Sequence, residues 1–155
     1  MKAEMALKIC QKCKAACCKM GGPDFSKSEM KKVLKAGHPN YFVELNPNHF
    51  ELKGKKGRCH YLTNSNSCRI HNERPLMCKC WPVYVNYKNN KKEFVLIECP
   101  LTSQLSKKDI QIMKYQASRI PKEIITNSFS SSKFPKSDIK IVEMRFNKFK
   151  QKPLN

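Results

Sequence analysis

"CQKCKAACC", residues 10–18, sets four cysteines in nine positions, and the fold of the whole chain turns on what those thiols hold. A metal, a set of disulfides and a nucleophile are the three candidates. The stretch leading into it, "MKAEMALKIC" (residues 1–10), is too short and too broken by charge to form the apolar core of a signal peptide. No apolar run approaches the roughly 18 residues of a membrane span. These features predict a cytoplasmic protein with no membrane segment, where thiols stay reduced and a dense set of cysteines serves metal binding rather than bridges. The total of nine cysteines also leaves one unpaired in any disulfide scheme.

Outward from that stretch, Met5, Ile9, Ala16 and Met20 predict one helix, which "GGPD" (residues 21–24) ends. Such a helix places Cys10, Cys13 and Cys17 on one face, with Cys18 about a quarter-turn away. "FSKSEMKKVLKAG" (25–37) predicts a second helix with Ser26 as N-cap, Glu29 completing a capping box, Phe25 and Met30 as a staple, and Gly37 as the stop. Met30, Val33 and Leu34 form its buried stripe.

From "HFELKGKKGRCHYL" (49–62) the period falls to two, which predicts short strands or extended loops at 49–53, 58–62 and 68–71. "VYVNY" and "EFVLI", joined by "KNNKK", predict a hairpin, with Cys99 just past its second strand. "LSKKDIQIMKYQASRI" (105–120) is a further capped helix, with Ser106 and Asp109 at its start and Ile110, Met113, Ala117 and Ile120 on one face. Pro121 interrupts it, and "NSFSSSKFPKS" (127–137) reads as a flexible link. In "DIKIVEMRFNKFK" (138–150), Ile139, Val142, Phe146 and Phe149 suit a helix, whereas Val142, Met144 and Phe146 suit a strand. The β-branched start favours the strand.

The length fits one domain. The expected fold is therefore α+β, a small single domain with short strands and a hairpin packed with helices around a cysteine-ligated metal centre. Residues 1–126 form the cysteine-cluster domain, and 127–155 form a linker and C-terminal segment docked on it.

The nine thiols fall into three groups: Cys10, Cys13, Cys17 and Cys18; Cys59 and Cys68; and Cys78, Cys80 and Cys99. Thiolates converging from separate segments suit tetrahedral zinc or the iron corners of an iron-sulfur cluster. The opening run, "GRCHYLTNSNSCRIHNERPLMCKCWP" (57–82) and "LIECP" (96–100) together resemble the zinc- or iron-chelating cysteine-cluster family, whose pattern is a CxxCxxCC-like run followed by spaced cysteines around an R-P-x-x-C-x-x-aromatic-P segment. The resemblance covers residues 10 to about 101. It implies a metal-binding domain holding an iron-sulfur cluster or zinc, with Cys10, Cys13, Cys17, Cys18, Cys59, Cys68, Cys78 and Cys99 as ligands and Cys80 as the odd thiol. Three residues separate Cys13 from Cys17 where the family's short motif has two, so either Cys17 or Cys18 aligns with the ligand. Related domains occur in flagellin lysine methylases, which adds methyl transfer to the chemistries the resemblance implies.

Neighbouring residues carry further expectations. Arg74 fixes a turn through nearby carbonyls, or lends positive charge to the thiolates. His60 and His71 adjoin ligand cysteines but compete with better sulfur donors. Trp81 and Pro82 cover the site with apolar surface. The spacing matches neither a zinc ribbon nor the common ferredoxin runs, and its irregularity leans toward a 4Fe-4S cluster over zinc.

The chain carries 31 Lys and Arg against 12 Asp and Glu, a formal charge of +19. Only 5 of the 31 are Arg, the residue best suited to bidentate phosphate contacts, and the excess is spread over both parts of the chain. Nucleic acid is thus a possible partner but not the favoured one. No dinucleotide fingerprint, phosphate loop or H-E-x-x-H is present. Three functions stand in order: a metal-binding module with a redox or accessory role, with metal as its partner and a protein partner or substrate possible; an iron-sulfur-dependent protein-modifying enzyme related to lysine N-methylases; and a zinc-stabilised nucleic-acid-binding module.

Overall fold

The computed structural model describes residues 3–53, 57–127 and 136–154. Helix α1 spans Ala3–Lys12 and stops earlier than its hydrophobic period predicts. Lys14 and Ala15 take left-handed conformations (φ 57° and 50°), and the bonds Lys14 N to Gln11 O (3.0 Å) and Ala15 N to Cys10 O (2.8 Å) close the helix end. That is a Schellman-type stop made without the glycine that usually marks one. Cys17 and Cys18 therefore leave the expected single helix and sit on a separate 3-10 turn, Ala16–Lys19.

Helix α2 (Lys27–Lys35) carries the predicted capping box in full, with Ser26 N donating to Glu29 Oε2 at 2.8 Å. Glu29 does more than cap. Its Oε1 accepts from Leu76 N at 2.8 Å, which ties α2 to the start of α3 (Leu76–Lys79), the single turn that carries Cys78.

Strands β1 (Phe42–Asn46) and β2 (His49–Leu52) form an antiparallel hairpin of which only the second strand was expected. The segments 58–62 and 68–71, read as short strands or extended loops, are loop joined by one bridge, Leu62 to Cys68. Strands β3 (Val83–Lys88) and β4 (Lys91–Ile97) make the predicted hairpin. Its turn is tighter than "KNNKK" implies, with Asn89 and Asn90 both left-handed (φ 49° and 59°), as a two-residue primed turn requires.

Helix α4 (Lys107–Ser118) has its predicted box between Ser106 and Asp109, and after Pro121 the short α5 (Lys122–Asn127) follows. Most of the expected flexible link lies outside the described residues. The last segment corrects the sequence reading, because Lys136–Phe146 is a helix, α6, rather than a strand. Val142 and Phe146, one helical turn apart, both face the central cavity, and burying that face outweighs the β propensity of the branched residues. A strand does come later: β5 (Gln151–Leu154) joins β4 antiparallel, giving the order β3-β4-β5.

The molecule is a small α+β single domain with two apolar clusters. Phe25, Val33, Phe50, Leu52, Tyr61 and Ile70 pack α2 against the first hairpin and the loop. Val83, Val85, Ala117, Ile120, Ile124 and Ile125 pack α4 and α5 against the second sheet. The main cavity is lined from both clusters, with Leu52 and Ile70 on one side and Val83, Val85 and Ile120 on the other. No described helix is long and apolar enough to cross a membrane.

Candidate metal centre

All nine cysteines line two adjoining cavities between those clusters, each of about 230 Å³. Cys18, Cys59, Cys68, Cys78 and Cys80 line only one of them, the main cavity, whereas Cys13 and Cys99 line only the second. Cys10 and Cys17 line both. All nine thiols are free.

Local backbone bonds explain how distant segments deliver these sulfurs. Cys59 N donates to Cys18 O at 2.9 Å, pinning the loop to the 3-10 turn. Arg58 Nη2 donates to Thr63 O at 3.0 Å and steadies the same loop. Cys99 lies in a turn held by Thr102, whose Oγ1 donates to Ile97 O (2.6 Å) and accepts from Cys99 N (3.2 Å). Cys13 Sγ donates to Cys10 O at 3.2 Å.

The electrostatics fall along the same division. Cys78 is pushed well up by burial first, then by Cys18, Cys59 and Cys68. Burial raises Cys59 to about 12, with Cys18 and Cys68 adding to it. Cys68 is raised by burial, with Cys18 again its nearest thiol influence. Cys10 is raised to about 11, by burial and then by Cys13, Cys18 and Cys99. Cys17, raised chiefly by its hydrogen bond to Cys18, also feels both Cys78 and Cys10 and so stands at the junction. Cys18 alone is lowered, by the hydrogen bond from Cys17 and by the charges of Arg74, Lys19 and Arg58. Sulfur brought by several segments beside a guanidinium has the donor chemistry that zinc or iron takes, although no three of the sulfur atoms lie within 4.8 Å of one another.

Both expected roles of Arg74 are met at once. Its Nε donates to His71 O at 2.8 Å, and its charge favours the thiolate form of Cys10, Cys18, Cys68 and Cys78. His71 lines the main cavity, where burial and Arg74 lower its pKa. His60 is stacked on Tyr41 (ring centroids 4.6 Å apart) and lines neither cavity. Cys80 also lines the main cavity, yet it is 2% exposed within the second apolar cluster, its Sγ 3.5 Å from Met77 O. None of the other thiols contributes to its raised pKa of about 12, which comes from burial and then Glu29.

Trp81 lines both cavities as expected, whereas Pro82 lines neither and other residues complete the cover. Phe149 meets Trp81 edge to face at 5.8 Å, and Val142 and Phe146 close the main cavity from α6. Arg145 Nη1 donates to Lys19 O and fastens that helix beside the cysteine turn. The helical spacing of Val142, Phe146 and Phe149 was the available signal for this role.

No curated protein and no solved structure matches the chain. The family model described as "Putative zinc- or iron-chelating domain" matches residues 9–100, a span that holds all nine cysteines and more than half the chain. The chain belongs to this CxxCxxCC family of zinc- or iron-chelating domains.

Proposed function

We propose that the eight cavity-lining cysteines other than Cys80 hold metal in two adjoining four-sulfur centres. Cys18, Cys59, Cys68 and Cys78 form one, and Cys10, Cys13, Cys17 and Cys99 form the other. The observation that carries this reading is the division of the thiols between two cavities, together with the influence of Cys18, Cys59 and Cys68 on Cys78 and of Cys13 and Cys99 on Cys10.

At least one centre is an iron-sulfur cluster in this reading. A structural zinc site is closed tightly by its four ligands. Here no three of the cysteine sulfurs lie within 4.8 Å of one another, in cavities of about 230 Å³ each. Such room suits a polynuclear cluster better than a lone ion. Two centres sharing a wall at Cys10 and Cys17 suit passage of electrons, and the apolar cover of Trp81, Phe146 and Phe149 limits solvent access and so tunes their potential. The protein then serves redox chemistry, as a carrier or as an accessory to a partner.

Iron, zinc and acid-labile sulfide analysis of protein purified without oxygen, together with its absorption spectrum, tests the reading. Iron with sulfide and a broad band near roughly 400 nm is the expected result. Stoichiometric zinc in a colourless protein would make the cysteines structural and remove the redox role.

A further inference from the structure

Strand β2 is buried along its whole length, yet only one of its faces is apolar. Phe50 and Leu52 join the first core, while the alternate residues His49 and Glu51 turn to the other face and are 0% and 2% exposed. Asp24, 6% exposed, reaches the same place from the chain beside β2. The bonds Phe25 N to Phe50 O (2.8 Å) and Phe50 N to Phe25 O (2.9 Å) set an antiparallel register with Asp24 across from Glu51. Two carboxylates in that relation repel, and burial makes the repulsion worse.

The donor geometry is that of a cation site. One ligand atom from each of Asp24, His49 and Glu51 lies within 4.8 Å of the others. Asp24 Oδ2 and His49 Nε2 are 3.4 Å apart without a hydrogen bond between them, and the buried His49 Nδ1 has no hydrogen-bond partner. Two donors each about 2.1 Å from a tetrahedral metal stand about 3.4 Å apart, so this spacing is what a shared ion requires.

We propose that Asp24, His49 and Glu51 bind one divalent cation through two carboxylates and an imidazole, in a site distinct from the cysteines in both residues and donor type. This donor set takes Zn²⁺, Fe²⁺ or Mn²⁺. Three protein ligands leave a coordination position open. Asp24 and Glu51 line the main cavity, so a water or the oxygen of a small ligand in that cavity fills the open position. The proposal does not depend on which metal the thiols hold.

Mn²⁺ is the probe of choice, because it favours oxygen and nitrogen over thiolate. The protein is used with its cysteine-bound metal in place, that content measured on the same sample, and Mn²⁺ titrated while the free-ion electron paramagnetic resonance signal is followed. Wild-type protein is expected to take up one equivalent, with nitrogen coupling from one histidine in the pulsed spectrum. The near-isosteric Asp24→Asn and Glu51→Gln variants, checked for native circular dichroism, are expected to bind at least tenfold more weakly. Absence of uptake at millimolar Mn²⁺, uptake without histidine coupling, or affinity unchanged in both folded variants would each overturn the site and leave Asp24 and His49 as a simple buried ion pair. The wild-type titration decides the matter even if the variants fail to fold.

Discussion

Arg74 donates from Nε to the carbonyl of His71 at 2.8 Å, and the same guanidinium lends its charge to four of the cysteines lining the main cavity. One side chain thus fixes the turn before α3 and stabilises the thiolates that the turn helps present. The two roles separate by mutation. Arg74→Lys keeps the charge and loses the directed bond, so metal content is expected to hold while the protein is destabilised by about 1 kcal/mol. Arg74→Leu loses both, and metal content is expected to fall as well. Metal analysis beside thermal unfolding distinguishes these patterns, and identical behaviour of the two variants would refute the division.

The two-centre arrangement makes a stoichiometric prediction. Cys78→Ser and Cys99→Ser are each expected to remove about half the bound metal, and the double variant nearly all of it, since a structural metal site fails when one of four ligands is lost. Cys80→Ser should leave the metal content unchanged and cost on the order of 1 kcal/mol, the penalty for a hydroxyl in an apolar cluster. Equal metal loss from Cys78→Ser and Cys80→Ser would mean the ligand set is misassigned.

Stability of the metal-free chain should respond to alkali. Burial raises Cys59 from 9.0 to about 12 and Cys10 from 9.0 to about 11. Groups whose folded pKa lies above the unfolded value stabilise fully below the latter, and that contribution fades as pH rises through the folded value. The denaturation midpoint of metal-free protein is thus expected to fall steadily above pH 9.0 toward about 12. Metal-loaded protein, whose ligand thiolates are already deprotonated, should lose less, with its remaining alkaline loss coming from Cys80 and Tyr61, both raised to about 12. A flat alkaline profile for the metal-free chain would show that these thiols are not buried as described.

Removing the aromatic cover should expose the centre. Phe149→Ala deletes the edge-to-face partner of Trp81 and opens the second cavity, which Cys13 and Cys99 line, at a stability cost on the order of 2 kcal/mol. The visible absorbance of the loaded protein is expected to bleach several-fold faster in air than that of wild type. An unchanged bleaching rate would place the route of oxygen entry elsewhere.

Much of this was legible from local chemistry. Ser26 with Glu29 and Ser106 with Asp109 announce their helices, because capping is a contact over three residues and sequence records such contacts directly. The hairpin around Asn89 and Asn90 is legible for the same reason. The stop at Lys14 and Ala15 was hidden because neither residue is a glycine, and so the divergence of Cys17 and Cys18 from α1 was hidden too. Helix α6 was misread because its branched residues favour a strand locally, while the cavity that selects the helical face is assembled from distant segments. Asp24, His49 and Glu51 went unnoticed since an acid and a strand histidine 25 positions apart carry no motif until pairing at Phe25 and Phe50 brings them together.

The bond from Arg145 to Lys19 joins positions 126 residues apart. A polypeptide leaving the ribosome N-terminus first displays Cys10, Cys13, Cys17 and Cys18 long before the helix that roofs them has been translated. The wall that Val142, Phe146 and Phe149 add to the cavities is therefore the last part of their lining to be made, after every cysteine is already in the chain.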